Sequence, residues 1–313
     1  MKSARAWAAF AVKAAITAGV LVFLAHTVEI GAAFDRLKAI GWASTAAAFA
    51  ILFAQIAVVG VRWHLVARVV HGALPLERTL RVALIAQFVS LALPSTLGGD
   101  AMRLLFARRA GVPINRALSG IVLDRVVGIA AVAVLMVALL PAFFALVGDH
   151  LARVAMSLAA AAIALAALAF VLLSNPAMRT LAHLRWGRPV AAAIRDARAL
   201  ARAPERTAIG AMALVVQLMS VAAIWALAHG LAMPLDPLVC LVMLPPIGLT
   251  SMLPISIGGW GVREGAMVAG LALVGVPAAD ALALSVASGL VQTAAGLAAG
   301  VAMIGGESLR GDG

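Results

Sequence analysis

The chain has 313 residues, of which 64% are hydrophobic and 12% charged, with a formal net charge of +11 and a mean hydropathy of +1.08. A soluble domain is about half apolar and a quarter charged, so a water-soluble fold is excluded, as is a disordered chain, which is polar and charge-rich. The single cysteine, Cys240, excludes an internal disulfide framework, and the basic excess is no nucleic-acid groove, because it falls between long apolar segments and the chain has no tyrosine.

A stretch of roughly 20 apolar residues crosses the hydrocarbon core of a bilayer. Five such stretches lie at about 6–26, 42–61, 117–140, 151–173 and 207–229, and a sixth, rich in small residues, at 279–304. The first is interrupted by Lys13 and outruns a signal-peptide core, so it reads as a retained anchor. Two further apolar regions, 79–98 and 238–257, end in LPSTLGGD and LPISIGGWG.

Cytoplasmic loops carry the excess of Lys and Arg. Three loops are strongly basic: 62–81 (Arg62, Arg68, Arg78, Arg81), 100–116 (Arg103, Arg108, Arg109, Arg116) and 175–206, which carries seven arginines. All three fall on one face only if 79–98 enters the membrane and turns back. On that reading 18 basic residues lie inside, four (Arg36, Lys38, Arg153, Arg263) outside, and Lys13 and Arg125 within segments. Both termini are then cytoplasmic. The 175–206 stretch, opening on Asn175-Pro176, reads as one or two amphipathic helices on an anionic leaflet, or as charge that merely sets topology.

The two broken segments are copies of one another. LPSTLGGDAMR (93–103) sets Pro94, Thr96, Gly98, Gly99 and Arg103 over Pro254, Ser256, Gly258, Gly259 and Arg263 of LPISIGGWGVR (253–263), and after an insertion GVPINRAL (111–118) matches GVPAADAL (275–282). Three crossings separate the copies, and an odd number inverts the second relative to the first. The expected architecture is an all-α polytopic membrane protein in a single domain over 1–313. It is an inverted repeat with about six full crossings and two re-entrant helical hairpins. Repeat 1 covers about 6–140 (hairpin 79–111) and repeat 2 about 151–304 (hairpin 238–274). Broken segments in corresponding positions point to a transporter with its site at the repeat interface.

Chemistry follows from the frame. Pro94 and Pro254 end the entering helices, the glycine pairs allow close backbone approach, and Asp100 can cap a returning helix. Arg103 and Arg263, beside free helix amides, form an anion site suited to phosphate or carboxylate, with Thr96, Ser256 and the four glycines around it. The competing reading has the two arginines snorkelling or pairing with Asp124 or Glu264. Adjacent helix positions diverge, so neither Asp124–Arg125 nor Arg263–Glu264 is expected to pair. Asp124, Glu264 and Asp100 are instead candidates for pairing across the repeat interface or carrying a coupling proton, or are plain interfacial or capping carboxylates. Gly296 and Gly300 form a GxxxG, a weak signal in so glycine-rich a chain. Cys240 and the six histidines lack ligand spacing, and Gly259–Gly265 lacks the strand and helix a dinucleotide loop needs, so neither a metal nor an organic cofactor is expected.

The paired frames, LPSTLGGDAMRLLFARRAGVPINRALSGIVLDRVVG and LPISIGGWGVREGAMVAGLALVGVPAADALALSVASGL, resemble the lysylphosphatidylglycerol synthase transmembrane-region, or flippase-like, family over essentially the whole chain. The resemblance implies a bacterial inner-membrane protein that moves an anionic lipid or glycolipid headgroup between leaflets. Members that also synthesise the lipid carry a soluble aminoacyltransferase domain; this chain ends nine residues past Ile304, so no enzymatic activity is expected. The alternatives are a solute or ion secondary transporter, or a non-transporting subunit of a lipid- or glycan-synthesis complex. The expected partner is a membrane lipid, with homo-oligomers or a lipid-synthesis partner open.

Overall fold

The computed structural model describes residues 14, 15, 17–24, 26–72, 74–92, 98–183, 188–251 and 260–308, of which 92, 167–182, 188–190, 251 and 304–308 are described by backbone alone. Among the described residues all regular structure is helical: α1 (Ile30–Lys38), α2 (Trp42–His71), α3 (Leu76–Ala92), α4 (Gly98–Arg109), α5 (Ile114–Ala138), α6 (Leu140–Leu146), α7 (His150–His183), α8 (Arg188–Arg202), α9 (Arg206–Gly230), α10 (Pro237–Ser251), α11 (Val262–Ala272) and α12 (Ala278–Ser308). Helices α2, α5, α9 and α12 are long and apolar enough to cross a bilayer; α7 over 150–166 and α10 over 237–250 are shorter apolar helices. The protein is a membrane protein. Residues 6–13, 16 and 25 of the expected first crossing, and the segments 93–97 and 252–259 at the expected hairpin tips, lie outside the described residues.

Helix α2 departs from its sequence reading. Its 30 residues reach about 45 Å at helical pitch, well beyond a hydrocarbon core of about 30 Å. Arg62 and Arg68, expected in a basic loop, are therefore helical, and the helix stops only at Gly72, whose φ of 98° breaks it. The 100–116 loop is also helical up to Arg109.

Packing repeats between the halves. The pairs α2–α3, α3–α4, α4–α5 and α2–α5 in the first half recur as α9–α10, α10–α11, α11–α12 and α9–α12 in the second, and α2–α12 and α3–α12 recur as α9–α5 and α10–α5. The equivalent helices α2 and α9 pack along each other at the centre.

Two ends of the bundle are distinct. At one end, Val66, Val70, Leu123, Leu200 and Ile209 form a cluster, and Arg116 donates to the Val70 carbonyl (3.2 Å). Leu74, just before α3, and Val82 of α3 meet Phe106 of α4 and Ala110, just after it, beside Trp63, so this helix pair starts and finishes at that end. At the other end, the Gly41 amide donates to Gly230 (3.1 Å) and Arg36 pairs with Asp280 (3.0 Å). There Leu231, Met233, Leu235, Val274 and Val276 join one apolar cluster, so α10–α11 starts and finishes at the opposite end. Helix α8 is docked on protein: Leu200 is buried, and Ser119 Oγ donates to Asp196 (2.7 Å).

Candidate functional site

Two guanidinium groups share one carboxylate inside the first half. Arg62 of α2 donates through Nε to Asp124 Oδ1 (2.8 Å) and through Nη2 to Oδ2 (3.2 Å), while Arg103 of α4 donates through Nη1 to Oδ2 (2.9 Å). Asp124 is 2% exposed, and Arg62 is also buried. Burying charge is costly unless it is paired and hydrogen-bonded, and both carboxylate oxygens are engaged here. The Arg103 guanidinium also lies over Trp63, 5.4 Å from the ring centroid, and its buried Nε has no partner. One turn of sequence away, Arg125 pairs with Asp100 (2.5 Å).

These groups form the wall of a cavity of about 650 Å3 bounded by α2, α3, α4, α5, α9 and α12. Three arginines (Arg62, Arg103, Arg125) against two aspartates (Asp100, Asp124) leave its lining with one net positive charge. Facing them are four amides: Gln55, Gln87, Gln217 and Gln292. The Gln55 amide nitrogen donates to the Val216 carbonyl and Ser220 Oγ (2.7 Å each), tying α2 to α9 and leaving its oxygen to accept. Gly99 sits where α4 crosses α3; a Cβ there would come within 2.7 Å of Ser90 Oγ and 2.9 Å of the Ala86 carbonyl oxygen, so no side chain fits. Gly98 and Gly99 are buried, and the role of Gly99 is close approach within helix α4 rather than an unusual dihedral.

Arg263 occupies a separate centre. It donates to Glu264 Oε1 through Nε (3.0 Å) and Nη2 (2.6 Å), and stacks over Trp260 at 4.6 Å. Glu264, 1% exposed, also accepts from the Gly261 amide through Oε2 (2.5 Å) and from Ser285 Oγ (3.4 Å). It thus caps the start of α11 in the capping-box manner. Gly289 makes the space, since a Cβ there would stand 2.2 Å from Arg263 Nη2.

The structure corrects several sequence expectations. Arg263 and Glu264 do pair although adjacent, because the long guanidinium arm folds back over the first turn of α11 to the carboxylate. Asp124, Asp100 and Glu264 each pair within their own half, not across the interface. Arg103 lines the cavity and Arg263 does not, so the two motif arginines hold two centres rather than one. Thr96, Ser256, Gly258 and Gly259 lie outside the described residues. Asp124 and Arg125 diverge as expected. In the register that sets Gly111 over Gly275, Asp124 falls on Ser288 and Arg125 on Gly289. The acid that partners the motif arginine has thus moved from the facing helix to α11 itself. Arg62 was missed; the signal available was its i, i+4 spacing with Val66 and Val70, which continues the helix past the apolar run.

No curated protein matches the chain. The model of the family described as Lysylphosphatidylglycerol synthase TM region matches residues 10–300, which takes in both motif copies and both charge centres, and the chain belongs to that family.

Proposed function

We propose that the protein carries a phosphate-bearing lipid headgroup between the leaflets of a bacterial inner membrane, with the charged cavity as its binding station and no covalent step. The observation that carries this reading is the cavity itself: a buried and a half-buried guanidinium share one carboxylate, so the wall keeps a positive charge and an unpartnered Arg103 N–H. Guanidinium forks suit phosphate oxygens, and the glutamines opposite can take the polar remainder of a headgroup. The acyl chains stay in the bilayer, so only the headgroup is desolvated, and charge-assisted bonds offset that cost.

On this reading α3–α4 and α10–α11 are re-entrant hairpins inserted from opposite faces, and the two halves are inverted copies. The recurrence of helix pairs between the halves and the opposite bundle ends at which the hairpins begin support it. The basic end is cytoplasmic, and with it both termini. The Arg263 centre is the counterpart of the cavity, taking its place when the halves exchange conformations.

The test is a proteoliposome assay in which dithionite bleaches fluorescent phosphatidylglycerol reaching the outer leaflet. Wild-type protein should expose the protected inner pool. Arg103→Ala should slow exposure about tenfold or more, the scale of one lost charge-assisted hydrogen bond. Arg263→Ala should slow exposure but leave headgroup binding in the cavity intact. Equal rates for wild type and Arg103→Ala would sink the proposal.

A further inference from the structure

A second cavity, of about 400 Å3, opens between α5, α8 and α9 and shares no lining residue with the charged one. Its walls are aliphatic, among them Val126, Val134, Leu200 and Leu214, and Arg206 is the one lining residue with a polar side chain. Along α5 it extends from Leu123 to Val134, about 16 Å at helical pitch, which is the depth of one leaflet of a core about 30 Å thick. Val126 and Val134 are 51% and 57% exposed on membrane-spanning α5, so the groove opens toward hydrocarbon.

Arg206 stands at the basic end of this groove. Its Nη1 donates to the Ala203 carbonyl (3.3 Å). The neighbouring acid, Glu205, is taken by Arg68 of α2 and does not neutralise it. Hydrocarbon that meets an apolar groove one leaflet deep, with a cation at the headgroup level, finds complementary surfaces along its whole length. We infer that this groove binds one acyl chain of an anionic phospholipid, whose phosphate sits on Arg206, and that the bound lipid joins α8 to the α5–α9 wall. The site rests on the membrane setting of these helices and is independent of translocation.

Native mass spectrometry of the detergent-purified protein, titrated with phosphatidylglycerol and phosphatidylethanolamine of matched chains, tests this. It is run in the wild type and in Arg103→Ala, so that binding in the charged cavity is separated. Two variants address the groove. Arg206→Ala removes the cation. Gly210→Leu fills the groove without disturbing the helix, since no atom lies within 4 Å of an added Cβ there. In the Arg103→Ala background phosphatidylglycerol should bind the tighter of the two. Arg206→Ala should weaken it about fivefold, to the level of phosphatidylethanolamine, and Gly210→Leu should weaken both lipids. Equal affinity for the two lipids, or a phosphatidylglycerol affinity untouched by both substitutions, would overturn the assignment.

Discussion

Replacing Asp124 by alanine strands two guanidiniums at once, one buried and one half-buried, because Arg62 and Arg103 both depend on it. The expected loss is about 3–5 kcal/mol, the cost of an uncompensated buried charge, read as a fall in the thermal midpoint in detergent. Arg103→Ala should cost clearly less, since the two-pronged Arg62–Asp124 pair survives. At Gly289 the constraint is steric: Gly289→Ala puts a methyl 2.2 Å from Arg263 Nη2 and should cost about 1–3 kcal/mol by overpacking, read as a fall in the thermal midpoint. Sequence showed the motif arginines as charge carriers because intramembrane arginine is rare. It hid Arg62, whose place after an apolar run looks like loop charge, and it hid the Arg263–Glu264 pair, which depends on side-chain reach that spacing does not record.

Helices α3 and α12 touch through the glycines that sequence alone weighed lightly. Side chains at Gly296 and Gly300 would run into Leu91 and Phe88 respectively, each within 2.6 Å, so the motif seats the first hairpin arm against the last helix, beside Gln87 and Gln292 of the cavity. Gly296→Leu should separate the pair, seen as faster amide exchange in 76–92 with little change in α5. At the basic end, the Arg68 hydrogen bond holds the Glu205 carboxyl below its ordinary value of 4.5. A depressed carboxyl lends stability that is complete above that value and is lost as pH falls through the lowered one. Wild type should therefore lose thermal stability below about pH 4.5 more steeply than Glu205→Gln does. Helix α8 was legible as amphipathic from its arginines, but its docking was not, since an apolar stripe reads the same against lipid and against protein.

Across the whole molecule, charge counting is the sequence signal that bears on topology. It asks for three basic segments on one side of the membrane; in the fold, Arg68 and Arg116 stand near the α8 residue Asp196 at one end of the bundle. The segments joining α3 to α4 and α10 to α11 are legible in the sequence only as glycine and proline punctuation. Single cysteines placed at 110–112 and at 203–205 should react with an impermeant thiol reagent from one side of the membrane, and those at 148–150 and 232–234 from the other. Cys240 is 1% exposed and should stay silent in the background. Reaction of 110–112 from the same side as 148–150 would remove the hairpin topology.

On the proposed function, the surplus positive charge of the cavity wall also makes the protein an electrical device. A monoanionic guest leaves the occupied station neutral, and its arginines stay fixed on α2 and α4, so the guest alone takes its charge through the field as it changes sides. Each elementary charge moved across 100 mV is worth about 2.3 kcal/mol, an appreciable share of any barrier. An inside-negative diffusion potential, set with potassium and valinomycin, should hasten outward passage of the anionic lipid, retard its return, and leave a zwitterionic analogue indifferent.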